Sequence, residues 1–257
     1  MSEAGGAMLQ FYAADLHLHT ALSPCAEREM RPDAIIARAQ ELELEIIAVT
    51  DHNSAENVQA VCDAACGSGI TVWSGMEVQT REEVHLVCLF DTCAQALALQ
   101  ETVYAHLPAL KNDERVFGPQ WRLDAEGEVI GTVERLLLVA ANLSLADVVG
   151  RVRALGGVCI PAHVDRPAYS IIANLGFIPP ELELTAVEIS HFSTPKGVRE
   201  RFPQLRGYTL VGNSDAHRLA EMCWRNTFRM AAPSIAELAL ALAGRDERGT
   251  WVDGYQL

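Results

Sequence analysis

The chain has 257 residues, with 20 basic and 34 acidic side chains, a formal charge of −14 at pH 7, 49% hydrophobic and 21% charged residues. That composition excludes wholesale disorder and is long enough to bury a large core in one domain. The acidic balance and the 6% aromatic fraction argue against a broad face for nucleic-acid phosphates or an aromatic platform for single strands. A small anionic substrate stays compatible, because a bound cation inverts the local charge of an acidic pocket.

Short apolar runs alternate with helical stretches. Residues 11–17 (FYAADLH) read as a first strand, and Pro32 sits where a helix over 32–44 can begin. EIIAVT (45–50) is the second strand, followed by a helical stretch over 55–66. ITVWSG (70–75) and VHLVCLF (84–90) are further strands. The helix over 147–157 ends on two glycines, a good stop. VCIPAH (158–163), AVEISH (186–191) and YTLVGNSDAH (208–217) are strands that run into polar residues, and Ser234 is an expected N-cap for a closing helix over 234–244. Repeated β-then-α order predicts a parallel sheet or barrel. Residues 107–136 break the rhythm and read as an insertion, a helical arm with a small hairpin that is a candidate lid.

The seven cysteines are odd in number and scattered, with no CxxC pair and no disulfide framework. Residues near Met1 lack a basic start followed by a long apolar stretch, and no run approaches a membrane span. The expectation is a reduced, cytoplasmic, soluble protein.

The histidines carry the chemical information. Of eight, seven fall within or just after a predicted strand; only His106 falls on a predicted helix and reads as structural. Ligands of parallel α/β folds bind at the carboxyl ends of the strands. His17 and His19, in Asp-Leu-His-Leu-His, are two apart on a strand and so share one face, which suits two nitrogen ligands of one cation. Alone, such a pair is also compatible with a polar solvent face. Asp51 and His52 follow the second strand, Glu77 follows the third, His85 begins the next, His163 follows VCIPA, and Asp215 and His217 repeat the two-residue spacing. Six imidazoles and at least two carboxylates at strand ends suffice for two or three metals if a carboxylate bridges.

These segments together resemble the PHP (polymerase and histidinol phosphatase) family of metal-dependent phosphoesterases. The resemblance rests on DLHLHT (15–20), IIAVTDHN (46–53), SGMEV (74–78), EVHLVCLF (83–90), PAHVDRP (161–167) and GNSDAH (212–217), in matching order and spacing. It implies an α/β fold, a distorted TIM-like barrel of seven βα units, with two to three divalent metals (Mn, Fe or Zn) at the strand ends. By the same resemblance His17, His19 and Asp215 hold the first metal and Glu77 bridges it to a second. His85 and His163 complete the second, and His52 and His217 hold the third. Asp51 either ligates or orients His52 from behind. Many members carry Ser-Asp-Gly after the HxH pair, and that aspartate helps hold the third metal. Here the segment reads Ser23-Pro24-Cys25-Ala26-Glu27, so either Glu27 or Cys25 reaches in, or the third site is weak. Glu27 is favoured because hard oxygen ligands suit Mn²⁺ and Fe²⁺; solvation of a helix start is its ordinary alternative.

Arg166, beside His163, suits bidentate phosphate recognition. His191 is a candidate to bind substrate or protonate the leaving group, and Tyr169 and Ser170 are weaker candidates for lining the pocket. The implied reaction is hydrolysis of a phosphate ester by metal-activated hydroxide, without a Ser or Cys nucleophile. The expected substrate is a small phosphorylated metabolite or nucleotide. Exonuclease action on short oligonucleotides and an amidohydrolase-type reaction are the alternatives, extended nucleic acid is disfavoured by charge, and a non-catalytic binding module comes last because nearly every ligand position is filled. Nothing in the sequence reads out an oligomeric state.

Overall fold

The computed structural model describes residues 8–256. Its first half runs β1 (Gln10–Leu18), α1 (Pro32–Glu41), β2 (Ile46–Val49), α2 (Val58–Ala64), β3 (Thr71–Gln79), β4 (His85–Phe90), α3 (Cys93–His106), α4 (Glu114–Phe117), β5 (Trp121–Leu123) and β6 (Val129–Thr132). The second half runs α5 (Leu145–Ala154), β7 (Val158–Pro161), α6 (Ile171–Leu175), β8 (Ala186–Ile189), α7 (Pro195–Arg201), β9 (Thr209–Gly212), β10 (Asn226–Met230), α8 (Ile235–Leu242), β11 (Gly249–Val252) and β12 (Tyr255–Gln256). Local signals hold where they are strong. Pro32 opens α1, and the Ser234 side chain accepts from Glu237 N at the start of α8. After α5 the chain turns at Gly156 (φ +77°), and at Gly157 a Cβ would collide with the Phe90 ring.

Eight strands form one sheet in the order β12-β11-β10-β1-β2-β3-β4-β7, and β8 and β9 form a separate parallel pair. The expected parallel seven-unit barrel is therefore present only in part. The α/β layering is there, and β1, β2 and β3 run parallel, but β4 is antiparallel to β3 and to β7, and β10 is antiparallel to β1. Loop length is the reason for β4: residues 80–84 make a tight reversal, whereas a parallel crossover needs a dozen residues or more. The pairing does not close into a ring among the described residues. The β8–β9 segment instead meets the sheet through single bonds, Val164 N, after edge strand β7, to Glu188 O at 2.8 Å and His19 N, after β1, to Ala216 O at 3.0 Å.

The sheet buries apolar residues on both faces, as alternation along β2 shows. Ile47 and Val49 join the larger cluster with Ile35, Val61, Leu99 and Val148 of the covering helices. Ile46 and Ala48 join the smaller one with Trp73, Leu89, Phe228 and Leu238. Helix α8 closes the far end of that second face, where Trp73 Nε1 donates to Pro233 O and Ile235 N donates to Asp91 Oδ1. The near end carries the histidines. No helix among the described residues is long and apolar enough to cross a membrane.

Candidate metal centre

In β1 the pairing with β2 slips by one residue: Asp15 faces Ile47, but Leu18 rather than His17 faces Val49. This bulge turns Leu16 and Leu18 to opposite sheet faces although they are two apart. It leaves His17 and His19 at the strand's end with their Nε2 atoms 3.2 Å apart and both rings fully buried. Parallel pairing of β2 and β3 then brings His52 beside Glu77. Because β4 runs backwards, its first residue lies at that same end, and His85 Nδ1 comes to 2.8 Å from Glu77 Oε1. His163 Nε2, just after β7, reaches the same oxygen at 3.2 Å. After β9, Asp215 Oδ1 lies 3.1 Å from His19 Nε2 and 3.4 Å from His17 Nε2. His163 and Asp215 hold left-handed backbone, at φ +31° and +52°, a strained conformation that clusters at functional sites.

Glu77 is the centre of this arrangement. Its carboxylate is within 3.6 Å of the ring nitrogens of His17, His19, His52, His85 and His163. Burial alone would raise its pKa, but the charges of His85, His17 and His52 outweigh burial and hold it well below the carboxylate range. Asp215 is lowered in the same way: burial opposes, and the charge of His17 with the hydrogen bond from His19 prevails.

The donor set fits divalent cations. Ligand atoms about 2.1 Å from a tetrahedral ion lie ~3.4 Å from one another. The His17 and His19 Nε2 atoms lie 3.2 Å apart and 3.1–3.6 Å from carboxylate oxygens of Glu77 and Asp215. Two further sets, His52–Glu77–His85 and His19–His52–His217, also converge closely enough to share an ion. Glu77 Oε2 is buried without a hydrogen bond, although His52 Nδ1 is only 2.9 Å away. A buried carboxylate oxygen in that state is destabilising unless a cation satisfies it.

The supporting residues fix which ring nitrogen faces the cluster. His17 Nδ1 donates to Glu188 Oε2 at 2.9 Å, which leaves its Nε2 lone pair for an ion. Glu188 also accepts from His163 N and Asn213 Nδ2. Ser23 Oγ donates to Asp51 and lies 3.0 Å from His19 Nδ1, from which it accepts. Asp51 therefore orients His19 through Ser23, in place of the expected direct support of His52; its other bonds come from Thr20 N and Oγ1. Glu188 escaped the sequence reading, although an acidic residue inside the apolar run AVEI was a legible oddity.

Glu27 does not enter the cluster. Its carboxylate pairs with Arg218 Nε at 2.7 Å on the surface, because Arg218 follows His217 directly and outcompetes a distant imidazole. Cys25, on the same loop, is exposed. Desolvation opposes ionisation of its thiol, but the neighbouring His52 and His217 bring it from 9.0 down to about 6.

A cavity of about 390 Å³ opens above the cluster, lined by His52, Glu77, His85, His163, Arg166, Tyr169, Asp215 and His217 with Pro167 and Ala168. Arg166 Nη1 lies 2.7 Å from Asp215 Oδ2, and the Tyr169 ring stacks on His85 at 4.7 Å. The other expected residues fall elsewhere. Ser170 is buried as the N-cap of α6. His191 is outside the lining, with Nδ1 on Ser214 O. His106 donates to Thr102 O inside α3.

The segment 107–136 holds α4 and the β5–β6 hairpin, as the sequence reading expects. It is tied down rather than free. Trp121 N donates to Ala21 O, and Asn57 bridges Trp121 O and Leu123 N. None of its residues lines the cavity.

Comparison with known proteins agrees with this picture. The chain adopts the fold of a lesion-specific endonuclease Q from Pyrococcus furiosus (TM-score 0.69, 17% identity), covering 94% of this chain but only 58% of that one. It also matches a protein assigned as a metal-dependent phosphoesterase from Bifidobacterium adolescentis (TM-score 0.54, 19% identity, 79% of this chain and 87% of that one). An amidohydrolase from Chromobacterium violaceum, holding sulfate and no metal, matches at TM-score 0.56 and 19% identity over 82% of this chain and 89% of that one. No curated protein matches by sequence. The PHP domain model matches residues 15–169, more than half of the sequence, and by that match the chain belongs to the PHP domain family.

Proposed function

We propose that the protein is a metal-dependent hydrolase that cleaves a phosphate ester of a small metabolite or nucleotide. The observation that carries this is one carboxylate, Glu77, shared between the His17–His19 pair and the His85–His163 pair. On this reading His17, His19, Glu77 and Asp215 hold a first ion, Glu77, His85 and His163 a second, and His52 and His217 a third. Two or three divalent ions supply, when bound, the Lewis acidity that ionises water near neutral pH and offsets charge on phosphoryl oxygens.

The chain's own residues do the rest. Arg166 spends one N–H on Asp215 and keeps the others for non-bridging phosphate oxygens, in the fork geometry that suits them. Glu188 and Ser23 keep the His17 and His19 rings in the tautomer that faces the cluster. The cavity volume of about 390 Å³ suits a small ligand, and the −14 charge keeps long polyanions away. A nuclease acting on short oligonucleotides is the second reading. It rests on the fold shared with endonuclease Q, over 94% of this chain.

Elemental analysis of purified protein, run beside Mn²⁺-supplemented hydrolysis of an aryl phosphate, tests the proposal. We expect about two to three equivalents of metal and metal-dependent turnover. Glu77→Gln should lose metal and cut turnover by roughly 100-fold or more, since it removes a shared ligand outright. Full activity of metal-free Glu77→Gln protein overturns the mechanism. Turnover of oligonucleotides alone moves the assignment to the nuclease, and turnover of amides or lactones alone to the amidohydrolase type.

A further inference from the structure

We infer that Tyr169 is a specificity-determining residue whose ring offers a stacking face to the substrate, so that the site favours phosphate esters whose alcohol carries a planar aromatic ring. The inference rests on reading the site as a phosphate-ester hydrolase, and it names the substrate class of that same site.

Tyr169 lines the cavity above the cluster together with Arg166, Pro167 and Ala168. Its ring stacks on that of His85, with centroids 4.7 Å apart and 19° between the planes. The residue is nonetheless 47% exposed. With one face on the imidazole, that exposure falls on the rest of the ring, which borders the cavity. The backbone holds this ring in place against its own preference. Tyr169 is left-handed, at φ +56°, a conformation that glycine adopts freely and a bulky aromatic residue does not. A turn that needed only this backbone would do better with glycine, and a ring that served the core would be buried. Strained residues that the surrounding structure keeps in place cluster where ligands bind.

The turn that carries the ring is tied down on several sides. His85 N donates to Tyr169 O at 3.0 Å, Ser170 Oγ donates to Val164 O at 3.2 Å, and Ser190 N donates to Asp165 Oδ1 at 2.8 Å. Arg166 and Tyr169 are therefore presented from one preorganised turn, which lowers the cost of ordering them on binding. Arg166 offers its fork to the phosphate, and the wall beyond it, Pro167 and Ala168, is apolar and leads to the Tyr169 ring. A cavity of about 390 Å³ has room for a phosphate and one ring. A planar aromatic group there extends the His85–Tyr169 stack and gains quadrupole attraction beyond its buried area, whereas a saturated ring of the same size gains burial alone.

Hydrolysis of benzyl phosphate and of cyclohexylmethyl phosphate by Mn²⁺-loaded protein tests this, because both are esters of primary alcohols and differ in whether the ring is aromatic. Inhibition by benzylphosphonate and cyclohexylmethylphosphonate reads the same preference without bond cleavage. The wild type should favour the aromatic member of each pair by roughly 3–10-fold, in kcat/KM and in Ki. Tyr169→Leu should abolish the preference with metal content unchanged. Tyr169→Phe should keep it, since stacking needs the ring and not the hydroxyl. A wild type that does not discriminate, or a preference that survives Tyr169→Leu, overturns the inference and leaves the hydrolase reading standing. Loss of metal from Tyr169→Leu with an unchanged preference makes the ring a support for His85 alone and also overturns it. Phosphonates bound with the expected preference, but neither ester cleaved, support the stacking face and overturn the hydrolase reading. If metal-loaded wild type neither cleaves the esters nor binds the phosphonates, both readings are overturned.

Discussion

Glu188 shows how one side chain behind the histidine cluster controls those in front. It takes the Nδ1 proton of His17 and the backbone N–H of His163, so it sets a tautomer and a strained backbone at once. Glu188→Ala should lower metal affinity by about 10–100-fold, the usual effect of removing an outer hydrogen-bond partner. Competition with a chromophoric chelator measures this, and unchanged affinity would mean that the Glu188–His17 bond does not orient the ligand. At this scale the sequence marked residues that do converge, because His17, His19, Asp215 and His217 sit in short local patterns. It did not show Glu188, whose partners lie 171 and 25 residues away. It also favoured Glu27, since nothing in residues 23–29 reveals that Arg218 claims that carboxylate.

At the scale of elements, strand direction decides what a strand end can contribute. His85 begins its strand, while His17, His52 and His163 lie at or after the ends of theirs. It reaches Glu77 only because the short 80–84 reversal makes β4 antiparallel, with Glu77 opposite Val87 and Gln79 opposite His85. The inserted segment acts at this scale too. Its bonds to Ala21 and Asn57, and the approach of Gly118 to Pro24, place it against the loop that carries Cys25. We propose that it shapes access by bracing this loop. Replacing residues 107–136 by a short linker should change relative kcat/KM across phosphorylated substrates of different size. Loss of thermal stability with unchanged preference would leave the segment a purely structural role.

Over the whole molecule, the site concentrates buried carboxylates and imidazoles at one rim. Glu77 and Asp215 are buried and stay ionised; burial tends to discharge their imidazole partners, and it prevails at His19, whereas the carboxylate charges prevail at His17 and hold it well above the usual histidine value. A cation bound only by the folded state stabilises it by about 2.7 kcal/mol per site at 100 times its Kd. For a chain of this size, that raises Tm by roughly 5–10 °C. Calorimetry with and without chelator should show Tm falling on metal removal and recovering on reloading. A Tm indifferent to chelation would mean that the cluster is satisfied without metal. Arg166→Lys complements this test by separating substrate binding from metal binding: a higher KM for phosphate esters with unaltered metal content is expected, because lysine keeps the charge but not the fork.

The sequence by itself determined the α/β layering, the positions of most strands and the residue types at their ends. Those properties follow from periodicity and local spacing, which a strand or helix expresses whatever it packs against. Tertiary structure decided the rest: antiparallel β4, the β10–β12 extension of the sheet, the open curl where a seven-unit barrel was expected, and the pairing of Glu27 with Arg218 away from the cluster. Each depends on groups far apart in the chain meeting at one rim, where pairing register and competition among charged partners set the outcome.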